Sequence, residues 1–339
     1  MDIITAPPSE AYDWQWPAIT ERYATDQIRH SAVSNSDFVY IGFPWATLID
    51  LLGKKQGDPR LKPMIADLFN IRREVKRWIQ RATVCQHINM MHWLKTFGYL
   101  GITDIFWSHK VKGVDSLVCG DHTIRLHPFP LFPVQYARGG LDQQGQRPLL
   151  FSFVGLGEHP KYLTDVRAII LRILSEDSRG LVVGRDSWHY QKVVYEYQVG
   201  MRAKNPDGLI DDAASEQHIS ALRDSVFCLC PSGTGPNTIR LWEAIGSGCI
   251  PVIMSETYDP PGVGALWEAA AIFCPETVDA VKGLPDRLEA MAQDSSLMAL
   301  KRQALKQLWS TYGPDSFVRD VELLCAGESW PQRALWPRV

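Results

Sequence analysis

The sequence of 339 residues is short of several features that mark other classes of protein. It contains no run of about 18 consecutive apolar residues, which argues against a membrane-spanning helix. Its start, MDIITAPPSEAYDWQW, has neither the basic residues nor the apolar core of an export signal. Internal repeats and low-complexity segments are also missing. We therefore expect a cytoplasmic protein without an integral membrane segment.

An excess of charge of either sign is missing as well. The formal net charge is −3, and 22% of the residues are charged while 45% are hydrophobic. Strongly basic chains are drawn to nucleic acids and anionic surfaces, whereas this balance predicts no nucleic-acid partner. The hydrophobic share is ample for buried cores. Any binding of phosphate groups must therefore come from a local site.

Motifs for metal ions and dinucleotides are absent. No two Asp residues stand two apart, so there is no Asp-x-Asp pair, and no Gly-x-Gly-x-x-Gly opens either half. Cys228 and Cys230 lie two apart in an apolar run predicted to be a strand, where a thiol behaves as a small hydrophobe rather than a metal ligand. The seven cysteines are expected to be reduced, structural thiols. The sequence thus predicts no metal site and disfavours a dinucleotide oxidoreductase.

The length predicts two domains, because one domain usually has about 100 to 200 residues. We place the linker in ARGGLDQQGQRP, residues 137–148, which is rich in glycine and glutamine and has no periodicity. The predicted domains are residues 1–145 and 146–313. A C-terminal helix and tail, residues 314–339, are expected to return to the first domain.

Short apolar runs alternate with helical patterns in both halves, which favours an α/β fold with parallel sheets. In the first half, the predicted strands are 37–43, 82–88, 103–109 and 122–128, with helices at 61–80 and 91–101. In the second half, they are 148–155, 180–184, 226–230 and 249–254, with helices at 162–177, 214–224, 237–247, 295–313 and 314–327.

One stretch, FCLCPSGTGPNTIRLWEAIGSGCIPVI at residues 227–253, places a polar loop between an apolar strand and a helix. Ligands of parallel sheets bind beyond the carboxyl ends of the strands, where this loop emerges. Its glycines permit close backbone approach, and the helix that follows presents free N–H groups and a positive dipole end. The pattern suits a diphosphate. The candidate ligand-binding residues are Ser232, Gly233, Thr234, Gly235, Asn237 and Thr238.

The helix after this loop has a polar side. At about 100° per residue, Asn237, Arg240 and Glu243 share one face, and Leu241 and Ile245 share the other. Arg240 is a candidate to neutralise phosphate, and Glu243 is a candidate to accept ribose hydroxyls. The alternative is an exposed salt bridge between Arg240 and Glu243 beside an ordinary glycine turn, and the residues alone leave both interpretations open.

The segment SVFCLCPSGTGPNTIRLWEAIGSGCIPVIMSETYDPPG resembles the C-terminal motif of the exostosin family of glycosyltransferases. That motif joins a strand ending in Pro-x-Gly, an Arg-Leu-x-Glu/Asp-Ala-Ile helix and a Gly-Cys-Ile-Pro-Val-Ile strand. GITDIFWSH, residues 101–109, is similar to the family's Gly-x-Asp-His-Phe segment, with Ile105 at the usual His. The resemblance implies a GT-B fold, with two Rossmann-like domains facing a cleft.

The same resemblance implies an activity. The first domain would bind an acceptor and the second a sugar nucleotide, whose sugar is transferred with inversion to a hydroxyl of a growing glycan. Without an Asp-x-Asp pair, the diphosphate charge would fall to the helix N-terminus and to arginines, and no metal cofactor would be required. The donor-site candidates in the second half also include Gly155, Arg167, Arg185 and Arg240.

The acceptor side needs a general base. His87 and His109 follow predicted strands of the first half and so face the cleft, and Asp104 is expected beside His109. His122 with Asp121 is a third candidate.

Several partners and activities remain open at this stage. The donor is expected to be uridine-linked, with a guanosine-linked, fucosyltransferase-type enzyme as the alternative. A non-catalytic protein that binds nucleotide sugars is the third hypothesis. Peripheral association with a lipid-linked acceptor is also open.

Overall fold

A computed structural model describes residues 1–5, 14–54, 57–143, 145–187, 190–198 and 208–328. The last part of the predicted C-terminal tail, residues 329–339, lies outside these ranges. The chain forms two α/β halves, each built around one sheet. No helix in the described ranges is both long enough and apolar enough to cross a bilayer.

The first sheet has six strands in the order β1-β2-β3-β4-β6-β5. All neighbouring pairs are parallel except β5 and β6, which form an antiparallel hairpin. The strands are β1 (Asp2–Thr5), β2 (Phe38–Gly42), β3 (Gln80–Cys85), β4 (Asp104–Trp107), β5 (Ser116–Cys119) and β6 (His122–Pro128). The helices of this half are α1 (Thr20–Arg29), α2 (Trp45–Lys54), α3 (Leu61–Glu74) and α4 (Leu94–Leu100).

Strand β2 shows why this sheet is covered on both faces. All five of its residues are buried, and successive side chains point to opposite sides. Val39 and Ile41 enter a core with α2, α3 and α4. Phe38 and Tyr40 enter a second core on the other face. Helix α4 ends at Gly101, whose φ of 71° is left-handed and allows the sharp return into β4.

The second sheet is fully parallel, in the order β11-β10-β9-β7-β8. Its strands are β7 (Leu149–Leu156), β8 (Gly180–Arg185), β9 (Ser225–Pro231), β10 (Ile250–Met254) and β11 (Ile272–Phe273). The helices are α5 (Val166–Leu174), α6 (Asp212–Asp224), α7 (Ile239–Gly246), α8 (Gly264–Ala270), α9 (Val278–Lys282), α10 (Leu284–Gln293), α11 (Ser295–Tyr312) and α12 (Arg319–Cys325).

Helix α12 crosses back from the second half to the first. Phe317, Val318 and Val321 are buried in the same core as Phe38 and Tyr40 of β2. The core on this face of the first sheet therefore contains residues of the first half together with residues of α12 and the turn before it.

The two halves also contact each other through two short segments, residues 110–112 and residues 257–259. Val111 and Tyr258 form an antiparallel β-bridge, and the Lys112 N–H donates to the Thr257 carbonyl. The fully buried Lys110 ammonium lies 2.5 Å from Asp259 Oδ2, while it also pairs with Asp115 at 2.9 Å. A buried ammonium needs such partners, because its desolvation is costly.

The two-sheet α/β architecture with parallel strands is confirmed. The helix–strand alternation located the main strands, and Gly248, just after the C-cap of α7, has a left-handed φ of 67°. Several elements were missed, among them β1, α1, α2 and β5. β1 and β5 have only four residues each, and β5 belongs to a hairpin that a purely parallel pattern does not include.

Candidate active site

The carboxyl edges of the two sheets face each other across a cleft. Asn237, in the loop between β9 and α7, donates from Nδ2 to the carbonyl of Ser108, which directly follows β4, at 2.7 Å. A Cβ at Gly235 in the same loop would come 2.5 Å from Nδ1 of His109. The loops that follow β4 and β9 are therefore in contact, and they form the floor of the cleft.

Two arginines gather on the second-half side of this cleft. Arg240 of α7 donates from Nη2 to the Val154 carbonyl at 2.6 Å, while its buried Nε and Nη1 have no hydrogen-bond partner. Arg167, in the first turn of α5, donates from Nε to the Ser232 carbonyl at 2.8 Å. Burial, and then the charge of Arg240, lower the pKa of Arg167 to about 10. Two neighbouring cations, of which Arg240 has two donor nitrogens without partners, favour an anion.

Glycines shape the space around this arginine pair. A Cβ at Gly155, near the end of β7, would collide with Nη2 of Arg240. A Cβ at Gly233 would lie 3.2 Å from Nη2 of Arg167. The bare backbone at both positions lets the guanidinium groups lie against the chain. Any larger residue at 155 would displace Arg240.

The other donor-site candidates occupy the same edge with different partners. Arg185, the last residue of β8, donates to the Ala214 carbonyl and to Gln217, and burial followed by the charge of Arg240 lowers its pKa. The Ser232 hydroxyl donates to Glu276 at 2.5 Å and is thus already engaged. Thr234 is exposed, and Thr238 precedes α7 without capping it.

Glu243 is buried rather than exposed. Its Oε1 accepts the Gln135 backbone N–H at 2.9 Å, and its Oε2 lies 2.8 Å from Nε2 of His218. The alternative of a surface salt bridge with Arg240 is therefore wrong, because Arg240 bonds to Val154 instead. A carboxylate has about four lone-pair sites, so each Glu243 oxygen retains one acceptor position. Sequence reasoning missed His218, which sits on α6 outside the motif.

His109 is a neutral, buried imidazole. Burial, and next the charge of His87, lower its pKa to about 3, while a hydrogen bond to the Gln86 backbone acts in the opposite direction. Its Nδ1 has no partner. Gln86 is held in turn by the buried Glu21, which accepts its backbone N–H at 3.0 Å and whose pKa burial raises to about 8. A base this weak is poorly matched to proton abstraction near neutral pH.

A cavity of about 360 Å³ opens on the first-half side of the cleft. Its lining includes His87, Asp50 of α2 and Trp93, with Lys161 contributed by the second half. His87 Nδ1 accepts the Asn89 backbone N–H at 2.9 Å, and Nε2 lies 3.5 Å from Asp50 Oδ1. In the neutral imidazole the proton is therefore on Nε2 and faces Asp50.

Asp50 is thus the carboxylate of this cavity, and sequence reasoning missed it. Its signal was present, since it is the single acid within the apolar segment FPWATLIDLLG, residues 43–53. A carboxylate inside an apolar helix needs a partner or a function. In the structure, Asp50 lies 3.5 Å from Nε2 of His87 and lines the cavity.

The expectation that Asp104 lies beside His109 is wrong. Asp104 begins β4 and so lies at the opposite edge of the sheet, fully buried. It forms two bonds of 2.8 Å with Arg125 and one of 2.8 Å with His127. Although burial acts to raise its pKa, these partners lower it to about 2. Asp121 and His122 occupy the exposed β5–β6 turn at the same far edge.

No group of three or more His, Cys, Asp or Glu side chains in the described part of the chain is arranged to hold a metal ion. All seven cysteines are free thiols, and Cys119 is the only one not fully buried.

Two α/β halves with mostly parallel sheets, whose carboxyl edges face a shared cleft, have the GT-B architecture. A family model, the exostosin GT47 domain, matches residues 101–288, more than half of the chain. The chain belongs to the exostosin GT47 family of glycosyltransferases. The matched range contains the 232–238 loop, α7 and both arginines.

Curated relatives resemble parts of the chain. A probable glycosyltransferase of Arabidopsis thaliana is 32% identical over 135 residues, 40% of this chain and 22% of the relative. The probable beta-1,4-xylosyltransferase IRX10 of the same plant is 33% identical over 85 residues, 25% of this chain and 19% of the relative. Exostosin-1 of Drosophila melanogaster is 33% identical over 84 residues, 23% of this chain and 11% of the relative. The matches thus span about a fifth or less of these relatives.

Among solved structures, a chain of the GtfA/B complex is similar to this one, with 11% sequence identity and a TM-score of 0.43. The alignment covers 91% of this chain and 60% of that chain.

Proposed function

We propose that this protein transfers a sugar from a nucleoside-diphosphate sugar to a hydroxyl of a growing glycan, with inversion and without a metal ion. The observation that carries the proposal is the arginine pair. Arg240 presents two buried, unpartnered N–H groups next to Arg167, at the carboxyl edge where ligands of parallel sheets bind. A diphosphate supplies both the charge and the acceptor oxygens that these groups lack.

In the proposed reaction, the acceptor hydroxyl attacks C1 of the sugar while the bond from C1 to the diphosphate oxygen breaks. Negative charge grows on the leaving diphosphate, where Arg240 and Arg167 stabilise it from fixed positions. The hydroxyl proton passes to a base on the opposite side of the cleft. A single displacement of this kind inverts the anomeric centre.

We assign the base to Asp50. His87 has its Nδ1 lone pair engaged by the Asn89 N–H, so its remaining ring nitrogen donates rather than accepts. The Asp50 carboxylate accepts from Gln15 Nε2 at 3.4 Å and lines the cavity in which an acceptor sugar would lie. His87 then orients Asp50, and the 3.5 Å separation is of the length that tightens when substrate binds. Trp93 offers an aromatic wall for the sugar ring.

The nucleotide is proposed to be uridine diphosphate, with Glu243 accepting the ribose hydroxyls through its remaining lone pairs. Similar proteins carry the names glucuronosyltransferase and xylosyltransferase. Glucuronic acid and xylose are therefore the first sugars to test.

The test is a panel of uridine- and guanosine-linked sugars incubated with purified protein, with and without oligosaccharide acceptors. We expect one uridine-linked donor to release uridine diphosphate, faster when an acceptor is present. Turnover of guanosine-linked fucose alone would replace the donor assignment. Tight binding of a donor with neither transfer nor hydrolysis would instead indicate a non-catalytic binding protein.

A further inference from the structure

Helix α3 carries an exposed stripe that mixes basic and apolar side chains. Lys62, Ile65, Phe69, Arg72 and Lys76 recur at intervals of three and four residues, so they share one face that runs through α3 into the following turn. Ile65 is 39% exposed and Phe69 is 54% exposed. The opposite face of α3 is packed in the core through Met64, Leu68 and Ile71.

Helix α4 extends this stripe sideways. The Tyr99 ring, 42% exposed, meets Phe69 edge-on with centroids 5.9 Å apart. The Arg72 guanidinium lies 3.7 Å above the Tyr99 ring. Lys95 is exposed one helical turn before Tyr99. The resulting surface, called the α3–α4 patch, consists of Lys62, Ile65, Phe69, Arg72, Arg73, Lys76, Lys95 and Tyr99.

The charge of the patch contrasts with that of the whole chain. Residues 61–77 and 94–100 expose six basic side chains and one acid, Glu74, whereas the chain carries a net charge of −3. The other acid in these segments, Asp67, is only 9% exposed. Basic residues around exposed aromatic and aliphatic groups match the surface of an anionic bilayer, which attracts the charges and accepts the apolar side chains.

The patch adjoins the proposed acceptor cavity. His92 and Trp93 line that cavity, and α4 begins at the next residue, Leu94. A bilayer lying on the patch would therefore be close to the cavity mouth. Resting on the function proposed above, we propose that the α3–α4 patch docks on anionic phospholipid bilayers, from which the cavity takes a lipid-linked acceptor.

The test uses the full chain and sedimentation with vesicles of phosphatidylcholine, alone or mixed with phosphatidylglycerol. We expect binding to the mixed vesicles only, weakening as salt is added. The double variant Arg72→Glu, Lys76→Glu should bind the mixed vesicles about tenfold or more weakly. Phe69→Ser should weaken binding at every salt concentration, because it removes an inserted apolar group.

A matched control is Arg172→Glu with Arg302→Glu, the same charge change on exposed residues of the second half. It should bind vesicles like the parent. All variants should retain the parent's donor turnover with soluble acceptors. If the parent itself shows no turnover, the proposed function is contradicted, but the vesicle result can still be interpreted. Equal vesicle binding by patch variant and parent would overturn the docking proposal. So would a parent that binds polyglutamate but neither vesicle, which would indicate an acidic protein partner.

Discussion

The two halves share a parallel-sheet plan but carry different chemistry at their carboxyl edges. The second-half edge gathers Arg167 and Arg240, and neither forms an ion pair with a carboxylate in the described part of the chain. The first-half edge gathers a carboxylate and two imidazoles, namely Asp50, His87 and His109. In the proposed function, the second-half edge holds negative charge and the first-half edge receives a proton.

The second-half edge has an electrostatic cost. Burial, and then the charge of Arg240, lower the pKa of the Arg167 guanidinium. The carboxylates of the other edge have local donors, as in the pairing of Asp50 with His87. An anionic ligand at the second-half edge would offset the repulsion between the two guanidinium groups.

The largest expected effect is on the proton-receiving edge. Asp50→Asn keeps the size of the side chain but removes the base, so kcat should fall by about 10² to 10⁴-fold. Affinity for uridine diphosphate, measured by calorimetry, should not change, because Asp50 faces the acceptor cavity. Asp26→Asn, in an exposed surface pair, is the control and should behave as the parent. A fully active Asp50→Asn enzyme would refute the assignment of the base.

On the charge-holding edge, Arg240→Met should lower kcat/KM by about 10² to 10³-fold, the scale for losing one fixed donor to a developing negative charge. The melting temperature without ligand should be unchanged or higher, because a cation next to Arg167 is removed. Arg223→Met, at an exposed site, provides the comparison variant. If Arg240→Met melts lower yet turns over normally, the arginine pair is structural and the contrast between the edges fails.

Glu243 has hydrogen-bond partners in two separate segments, so its variants test its role in stability and its role in nucleotide binding. Glu243→Ala should cost about 1.5 to 3 kcal/mol of stability, because the Gln135 N–H and His218 lose a charged partner. Glu243→Gln keeps an acceptor for Gln135 and should be less destabilised. If the carboxylate binds ribose, both variants should bind uridine diphosphate about tenfold or more weakly. Urea unfolding and calorimetry separate the two losses, and unchanged affinity in Glu243→Gln would remove ribose from its role.

The smallest expected effect is that of a chelator. If arginines carry the leaving charge, EDTA should leave turnover essentially unchanged. The measurement is donor turnover before and after chelation, followed by addition of manganese or magnesium. An enzyme that EDTA inactivates and manganese alone restores would show that the second-half edge is incomplete without a metal.

Local patterning located the strand, glycine loop and helix at 225–246, because these elements are contiguous in sequence. Residues of the first-half edge, like Arg167 of the second-half edge, come from separate segments. Asp50 was missed because its helix was not predicted, and Asp104 was misplaced because it starts its strand instead of ending it. The partners Gln135 and His218 of Glu243 come from distant segments, which no local periodicity reveals.

The return of α12 also bears on the order in which the protein is made. The first half is synthesised before the second, yet the core beneath Phe38 and Tyr40 lacks Phe317, Val318 and Val321 until those residues have also left the ribosome. Lys110 likewise lacks its partner Asp259 until the second half is made. Domains commonly fold in turn as they emerge. In this protein, the first half completes its packing only after the second half has been synthesised.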